Sequence, residues 1–220
     1  MNQAPYSGTR IGIDESGKGD YFGPLVIAGV LVTPADEPDL RLMRVRDSKR
    51  ISDGRILEMA PDIRLICRHS IVTIGPQRYN ELYAKIKNLN RLLAWGHARA
   101  LENLLEHSDC ALAISDQFGD ERFILNALLE KGKKIQLIQR PKAEEDVAVA
   151  AASILARAEF LIRLKRLSDE IGLPLPKGAS QAVEAAGRSI VRKLGQDRLE
   201  GLAKLHFKTT QTVLRGSPEA

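Results

Sequence analysis

The chain has 220 residues, and 33 basic side chains against 28 acidic ones give it a formal net charge of +5. Apolar residues make up 44% of it, which excludes a disordered protein, and its length fits a single domain over residues 1–220. Two cysteines exclude a disulfide scaffold and favour a reducing cytoplasm, and no apolar run is long enough to predict a membrane span or a signal peptide.

The first half of the chain predicts two strands joined by a glycine-rich turn, followed by helices. Residues 10–15 form a short strand that ends in two acids, and the β-branched apolar run at 25–32 is typical of a buried strand. The remaining elements of this half are, in order, a polar loop at 34–39, a short helix through Ala60, a strand at 64–74 and a helix at 77–106.

The second half alternates strands with helices. Short apolar runs predict strands at 111–115 and 134–139, and helical spacing predicts helices at 123–131 and 147–167. Residues from about 171 to 215 are expected to be helical and polar. A hairpin followed by strands that alternate with helices predicts an α/β fold, with a mixed sheet that carries helices on its faces.

Acidic residues stand where three of the predicted strands end. They are Asp14 with Glu15, Asp116, and Glu144 shortly after the strand at 134–139. Each acid alone is also typical of a turn or a helix start, but strand ends at one edge of a sheet are where α/β folds build their sites. Converging carboxylates repel one another unless cations lie between them, and their oxygens suit Mg²⁺ or Mn²⁺. Two such ions form the clamp used for phosphodiester hydrolysis.

The other polar residues are less informative on their own. The four histidines show no zinc-ligand spacing, and His97, within the predicted helix at 77–106, is expected to pack or to face solvent. The turn at Gly17, Lys18 and Gly19 allows a backbone to approach a phosphate or a sugar closely, although a plain tight turn is the simpler interpretation. Its glycine spacing matches neither a Walker A loop nor the dinucleotide-binding fingerprint. Its position directly after Asp14 and Glu15 favours the interpretation as a ligand-binding turn.

Several longer motifs resemble the type 2 ribonucleases H, and ribonuclease HIII in particular. The resemblance is carried by Asp14-Glu-Ser-Gly-Lys-Gly-Asp-Tyr-Phe-Gly-Pro24, Asp47-Ser-Lys49, Tyr79-Asn80, Asn88-Leu-Asn90, Ala94-Trp-Gly-His97, Asp116-Gln-Phe118, Lys142-Ala-Glu144, the segment from Ala148 to Arg157, Leu175-Pro-Lys-Gly178 and Lys204-Leu-His-Phe-Lys208. Ribonuclease HII usually has alanine and arginine where this chain has Ser16 and Lys18. The motifs run from about Ile11 to Lys208.

This resemblance implies the ribonuclease H-like fold, a five-stranded mixed sheet flanked by helices, with a helical C-terminal region. It implies a catalytic quartet that holds two Mg²⁺ or Mn²⁺ ions, with no organic cofactor: Asp14, Glu15, Asp116 and Glu144. Glu145 and Asp146 are close enough in sequence to compete for the fourth place, and Glu144 is preferred because it follows Lys142-Ala143 as in the family. The implied substrate-binding residues are Gly17, Lys18, Gly19, Lys49, Asn88 and Asn90.

The implied activity is that of a ribonuclease HIII-like endoribonuclease, which hydrolyses the RNA strand of RNA/DNA hybrids to 5′-phosphate and 3′-hydroxyl ends. We expect a cytoplasmic monomer that serves DNA replication and repair and has no membrane partner. The alternatives are a ribonuclease HII-like enzyme that incises at single ribonucleotides in DNA, a DNA nuclease of the same superfamily, a non-catalytic hybrid-binding module and a small-molecule hydrolase.

Two features depart from the family pattern. Ribonuclease HIII usually carries an N-terminal substrate-binding domain, and because Asp14 stands near the start of this sequence, we expect a catalytic domain without it. Ribonuclease HII uses a tyrosine downstream of the fourth carboxylate to recognise an RNA–DNA junction, whereas the last tyrosine here, Tyr83, precedes Glu144. The second departure argues against efficient cutting at a single embedded ribonucleotide.

Overall fold

The computed structural model describes Tyr6, residues 8–46, Ser48 and residues 51–215 of the chain. These residues form two compact units. The first contains residues up to 15, 27–72 and 88–158, and the second contains 16–26, 73–87 and residues from 159 onward. All four predicted metal-binding carboxylates therefore belong to the first unit.

The strands form a five-stranded mixed sheet, which confirms the predicted fold class. In chain order they are β1 (Arg10–Ser16), β2 (Leu25–Val32), β3 (Arg68–Ile74), β4 (Leu112–Asp116) and β5 (Gln136–Arg140). Their order in the sheet is β3-β2-β1-β4-β5, and β4 pairs in parallel with both β1 and β5. β2 has the predicted bounds and is buried along its whole length, which is why its sequence is uninterrupted apolar.

The helices whose bounds lie within the described residues are eight α-helices and three short 3₁₀ helices. The α-helices are α1 (Glu37–Leu42), α2 (Asp53–Ile66), α3 (Pro76–Ile86), α4 (Leu89–Leu105), α5 (Arg122–Ala127), α6 (Val147–Ile171), α7 (Gln181–Leu194) and α8 (Lys208–Arg215). The 3₁₀ helices are Gly132–Lys134, Ala143–Glu145 and Gln196–Gly201. Helix therefore follows α6 intermittently, as the sequence predicts for the C-terminal region.

α2 is longer than predicted, so β3 begins later. The predicted strand at 64–74 starts only at Arg68, because α2 continues past its predicted end at Ala60. Pro61 lies inside α2, where it removes one backbone donor and favours an earlier end. Burial of one apolar face outweighs this cost. The buried residues of α2 recur at helical spacing: Ile56, Met59, Ala60 and Ile63.

The helix predicted at 77–106 is two helices. Lys87 has a φ of 49° and ends α3 in the left-handed conformation. Asn88 then caps α4, because its side-chain oxygen accepts a hydrogen bond of 3.1 Å from the backbone N–H of Arg91. Asn88, a predicted substrate-binding residue, thus has a capping role in the fold.

Two further boundaries are set by contacts distant in sequence. The polar loop predicted at 34–39 gives way to α1 at Glu37, whose carboxylate accepts a hydrogen bond of 2.6 Å from the Arg10 guanidinium. The strand predicted from residue 134 begins instead at Gln136, since Gly132–Lys134 forms a 3₁₀ turn. The buried carboxylate of Glu102 accepts the backbone N–H groups at the start of this turn.

None of the helices in the described part of the chain combines the length and the apolar character needed to cross a bilayer. The two cysteines, Cys67 and Cys110, are both free.

Candidate active site

Two of the predicted metal-binding carboxylates end adjacent parallel strands. In the register of β1 with β4, Ile13 stands opposite Ser115. Asp14 and Asp116 are the next residues along the two strands, so their side chains point to the same face of the sheet. Both side chains are partly exposed. The pairing therefore brings together two acids that are 102 residues apart in sequence.

Glu15 is held by two contacts that the sequence does not signal. Its backbone N–H donates to Oδ1 of Asp14 at 2.7 Å. Its side-chain Oε2 lies 3.1 Å from Nε2 of His97 on α4, and the Glu15 side chain is only 11% exposed. His97 itself is fully buried, so the expectation that it packs inside the protein or faces solvent missed its contact with the site. The one available signal was its spacing, four residues from both Leu93 and Leu101 on the buried face of α4.

Glu144 lies on the 3₁₀ turn Ala143–Glu145, which is tied to the end of β4. The backbone N–H of Ala143 donates to Oδ1 of Asp116 at 3.4 Å. Lys142, directly before this turn, has a φ of 56° and redirects the chain after β5. Glu144 is half-buried, whereas Glu145 is exposed. The hydrogen bond from Ala143 connects the turn that carries Glu144 to the strand that carries Asp116.

Asp146, one rival for the fourth carboxylate, is fully engaged in the fold. It is 2% exposed, its Oδ2 accepts a hydrogen bond of 2.8 Å from Nε of Arg10, and its Oδ1 accepts the backbone N–H of Ala148. Arg10 is also buried and binds Glu37 as well. A buried ion pair satisfied in this way is a structural element. This contact pattern favours Glu144 over Asp146 as a ligand.

A cleft of about 440 Å³ adjoins Glu144. Its wall carries three exposed basic side chains, those of Arg41, Arg46 and Lys142. Arg41 is paired with Glu37 at 3.2 Å. Glu144, Glu145 and Asp146 line the same cleft, so it places exposed cations, which can contact a phosphate backbone, beside a predicted metal-binding acid.

The donor set of the site fits a hard divalent cation. All four predicted ligands are carboxylates, and oxygen is the ligand that Mg²⁺ and Mn²⁺ prefer. Within residues 8–46, Ser48 and 51–215, no group of three or more histidine, cysteine, aspartate or glutamate side chains forms a preformed metal site. Mg²⁺ is usually bound by one or two carboxylates with water and substrate oxygens completing the shell, so the adjacent Asp14 and Asp116 are suitable ligands.

The glycine turn, in the second unit, is fixed by its own packing. Gly17 has a φ of +88°, and a Cβ atom there would lie 2.1 Å from the backbone oxygen of Pro24. Gly19 is exposed and has open space around it. Asp20 closes the turn through its N–H to Gly17 O, and its Oδ1 accepts the backbone N–H of Gly178. Glycine is therefore required for the fold at Gly17, while Gly19 leaves room for a ligand.

Lys204 supports this turn from within the second unit, a role that the sequence did not suggest. Its Nζ donates hydrogen bonds of 2.8 Å to the backbone oxygens of Asp20 and Gly23, and the side chain is fully buried. Burial lowers the pKa of Lys204 to about 7, with the charge of Asp20 opposing the shift. The neutral amine keeps two N–H donors, so both carbonyl contacts survive the loss of the proton.

This pKa predicts that Lys204 makes folding more favourable as the pH rises. The unfolded chain holds this proton up to a pH of about 10.5, so between pH 7 and 10 the unfolded state binds more protons than the folded one. We expect the difference in free energy of unfolding, wild type minus Lys204→Met, to increase with pH across this range. Its slope should be at most about 1.4 kcal/mol per pH unit. Urea unfolding at four pH values measures this difference.

Lys208→Met, which removes an exposed lysine of α8, is the matched control and should run parallel to the wild type. His206 and Tyr79 are further titratable groups close to Lys204. Burial, and then the charge of Lys204, lowers the pKa of His206, and burial raises that of Tyr79, so neither changes its charge between pH 7.5 and 9.5. A wild-type advantage that stays constant with pH would contradict the prediction.

The other predicted substrate contacts have different positions. Asn90, on the first turn of α4, faces the loop after β4: a Cβ atom on Gly119 would lie 2.8 Å from its Nδ2 atom. Lys49 lies outside the described residues, as does Asp47 of the same motif. Ser48 of that motif is buried, and its hydroxyl bonds to that of Ser153 on α6 at 2.6 Å. Lys18 is partly buried in the glycine turn.

The family model described as Ribonuclease HII matches residues 11–210 of the chain. The chain belongs to the ribonuclease HII family. It is 51% identical over 205 residues to Ribonuclease HIII of Protochlamydia amoebophila, and the alignment covers 93% of this chain and 68% of that protein. Ribonuclease HIII of Chlamydia pneumoniae is 45% identical over 210 residues, covering 94% and 70% of the two chains. The resemblance to ribonuclease HIII is therefore confirmed.

Solved structures of this family agree with the fold. Bst-RNase HIII in complex with Mn²⁺ superimposes with a TM-score of 0.89 at 35% identity, covering 95% of this chain and 70% of that one. RNase H3 of Aquifex aeolicus gives a TM-score of 0.75 at 31% identity, covering 90% and 72%. The ribonuclease H-like fold that the motifs imply is thus confirmed for this member of the ribonuclease HII family.

Proposed function

We propose that this endoribonuclease of the ribonuclease H type cuts the RNA strand of RNA/DNA hybrids, and that Asp14, Glu15, Asp116 and Glu144 hold the divalent ions on which cleavage depends. The products are a 5′-phosphate and a 3′-hydroxyl. In this proposal residues 1–220 are a single catalytic domain that acts as a cytoplasmic monomer in DNA replication and repair.

The observation that carries the proposal is the parallel register of β1 with β4, which sets Asp14 beside Asp116 at one edge of the sheet. The turn bearing Glu144 is hydrogen-bonded to Asp116. Neighbouring carboxylates of this kind repel a phosphate backbone unless cations neutralise them. The Mn²⁺ complex of Bst-RNase HIII, a relative of the same fold, supports a divalent ion for this chain too.

The chain's own residues would divide the work as follows. Asp14 and Asp116 hold the ions, and Glu15 and Glu144 complete the set of carboxylates around them. Two divalent ions, when bound, supply the charge that activates water and stabilises the leaving oxygen in an in-line displacement at phosphorus. The Gly17-Lys18-Gly19 turn contacts the ribonucleotide, whose 2′-OH distinguishes RNA from DNA. Lys49 binds a backbone phosphate, and Asn88 and Asn90 contact the nucleic acid.

The deciding experiment compares four labelled duplexes under Mg²⁺ and under Mn²⁺. They are a hybrid with a continuous RNA strand, an all-DNA duplex, an all-RNA duplex and a DNA duplex with one embedded ribonucleotide. We expect efficient cutting of the hybrid alone, no cutting in excess EDTA, and product ends that a ligase joins without prior phosphorylation. Undiminished cutting in EDTA contradicts the metal assignment.

Three of the alternative functions have their own outcome in this comparison. Equal cutting of the all-DNA duplex indicates a DNA nuclease, and strong cutting at the single ribonucleotide indicates a ribonuclease HII-like preference. Hybrid binding without metal-dependent turnover indicates a binding module. Each of these results overturns the proposed substrate.

The cleft beside Glu144 yields a separate prediction about affinity. Neutralising two of its cations in the double variant Arg46→Gln/Lys142→Gln should raise KM for the hybrid several-fold and leave kcat near the wild-type value. Each lost phosphate contact should reduce the slope of log affinity against log salt concentration by about 1. Binding titrations between roughly 50 and 200 mM salt measure this slope.

The control carries the same change in net charge elsewhere. Arg192→Gln/Lys193→Gln removes two exposed cations from α7. If both double variants alter the salt slope equally, the effect comes from overall charge and the cleft contacts no phosphate.

A further inference from the structure

The buried histidine of α4 makes contacts that packing alone does not require. His97 is fully buried among apolar residues of α4, where a leucine would fill similar space without any polar atom to satisfy. Both of its ring nitrogens have partners, Oε2 of Glu15 at 3.1 Å and Oγ of Ser115 at 3.2 Å. An imidazole without partners at such a position would cost free energy. Apolar packing alone therefore does not account for a histidine with two polar partners at this position.

Both partners of His97 belong to the strands that carry the predicted metal-binding site. Glu15 is itself one of the four carboxylates, and Ser115 directly precedes Asp116 at the end of β4. The hydroxyl of Ser115 lies 3.1 Å from the backbone oxygen of Asp116 as well. A continuous polar chain thus runs from the Glu15 side chain through His97 to the residue that bears the second carboxylate.

The chemistry of the groups fixes the direction of the main contact. An ionised carboxylate can only accept, so Nε2 of His97 donates its proton to Glu15. The ring is held from its other side by Ser115 and packs against Phe118, with ring centroids 4.9 Å apart. The imidazole therefore has no freedom to turn, and one oxygen of Glu15 is held at a fixed place.

We propose that His97 is a positioning residue that orients the Glu15 carboxylate for divalent-ion binding and couples it to the strand end at Asp116. This inference rests on the proposed function, since it gives His97 a role only if Glu15 binds an ion. Hydrogen-bond partners of metal ligands typically contribute 10- to 100-fold to metal affinity or activity. The class of ligand whose binding His97 assists is a hard divalent cation, not the nucleic acid.

The test measures ion binding directly, before any activity. Calorimetric titration with MnCl₂ alone, on the protein without substrate, gives the Kd of the ion. We expect His97→Leu to raise this Kd about 10- to 100-fold and to lower kcat on the hybrid by a similar factor. KM for the hybrid should stay within about twofold, because His97 lies inside the protein and touches no substrate.

Conservative replacement separates positioning from packing. The amide nitrogen of His97→Gln can reach the place of Nε2 and should restore most of the Mn²⁺ affinity, whereas His97→Asn reaches only the place of Nδ1 and should not. Leu101→Val, one turn along the same buried face of α4, is the matched control: it should lower the melting temperature and leave the Kd unchanged. If His97→Leu fails to fold, the Gln and Asn variants still decide between the two roles.

Two results overturn the inference. One is a His97→Leu protein with wild-type Mn²⁺ affinity and kcat, and the other is equal Mn²⁺ affinity in the Gln and Asn variants. Failure of the proposed function gives a different result, because full hybrid cutting by Asp14→Asn rejects the carboxylate site itself. Loss of cutting in Asp14→Asn combined with no effect of His97→Leu rejects only the role of His97.

Discussion

Replacing Asp14 with asparagine is expected to reduce the rate of hybrid cleavage by about 10³-fold or more. A divalent ion contributes several kcal/mol of charge stabilisation to phosphoryl transfer, and a loss of about 4 kcal/mol corresponds to about 10³ in rate. The asparagine Oδ1 can still accept the backbone N–H of Glu15, which bonds to Oδ1 of Asp14 at 2.7 Å. The fold should therefore survive, and removal of one of two like charges on adjacent strand ends, Asp14 and Asp116, should raise the melting temperature slightly.

Initial rates on a labelled hybrid and a melting curve for the same sample measure this effect. The neighbouring pair Glu144 and Glu145 supplies a matched comparison. Glu144→Gln should lose activity, and Glu145→Gln, which changes an exposed carboxylate one residue away, should retain it. Full activity in Asp14→Asn rejects the site, whereas the reverse result for the two glutamates moves the fourth ligand to Glu145.

The sequence predicted best those elements whose bounds follow from their local sequence pattern alone. β2 is buried throughout, so its unbroken apolar run gives correct bounds. α2 passes Pro61 and the long helical run breaks at Lys87, and neither boundary follows from local preference. Tertiary burial decides the first, and a left-handed residue followed by an asparagine cap decides the second.

The predicted site depended on where acids stand relative to strands. Two of the acids it selected, Asp14 and Asp116, end adjacent strands, and the role of all four as metal ligands stays a prediction. What it could not supply was strand order, because nothing local to β1 or β4 says that they are neighbours. His97 and Lys204 escaped prediction for the same reason. Their partners lie far away in sequence, at Glu15 for the histidine and at Asp20 and Gly23 for the lysine.

Replacing Gly12 with alanine is expected to destabilise the protein by about 3 kcal/mol or more. Gly12 lies on β1, two residues before Asp14. A Cβ atom added there would stand 2.1 Å from the backbone carbon of Ala148 and 2.2 Å from the backbone nitrogen of Val149. Both atoms belong to the first turn of α6, so no side-chain rotation can relieve the clash, and β1 or α6 must move. Urea unfolding measures the change.

Gly54→Ala is the matched control for this substitution. Gly54 lies on α2, and an added Cβ atom meets no heavy atom within 4 Å, so alanine should stabilise the protein by roughly 0.5–1 kcal/mol. The two variants add the same methyl group with opposite expected signs. An absence of folded Gly12→Ala protein alongside folded Gly54→Ala agrees with the prediction. Unfolding of Gly12→Ala at the wild-type urea concentration contradicts it, because β1 and α6 would then accommodate a methyl group without loss of stability.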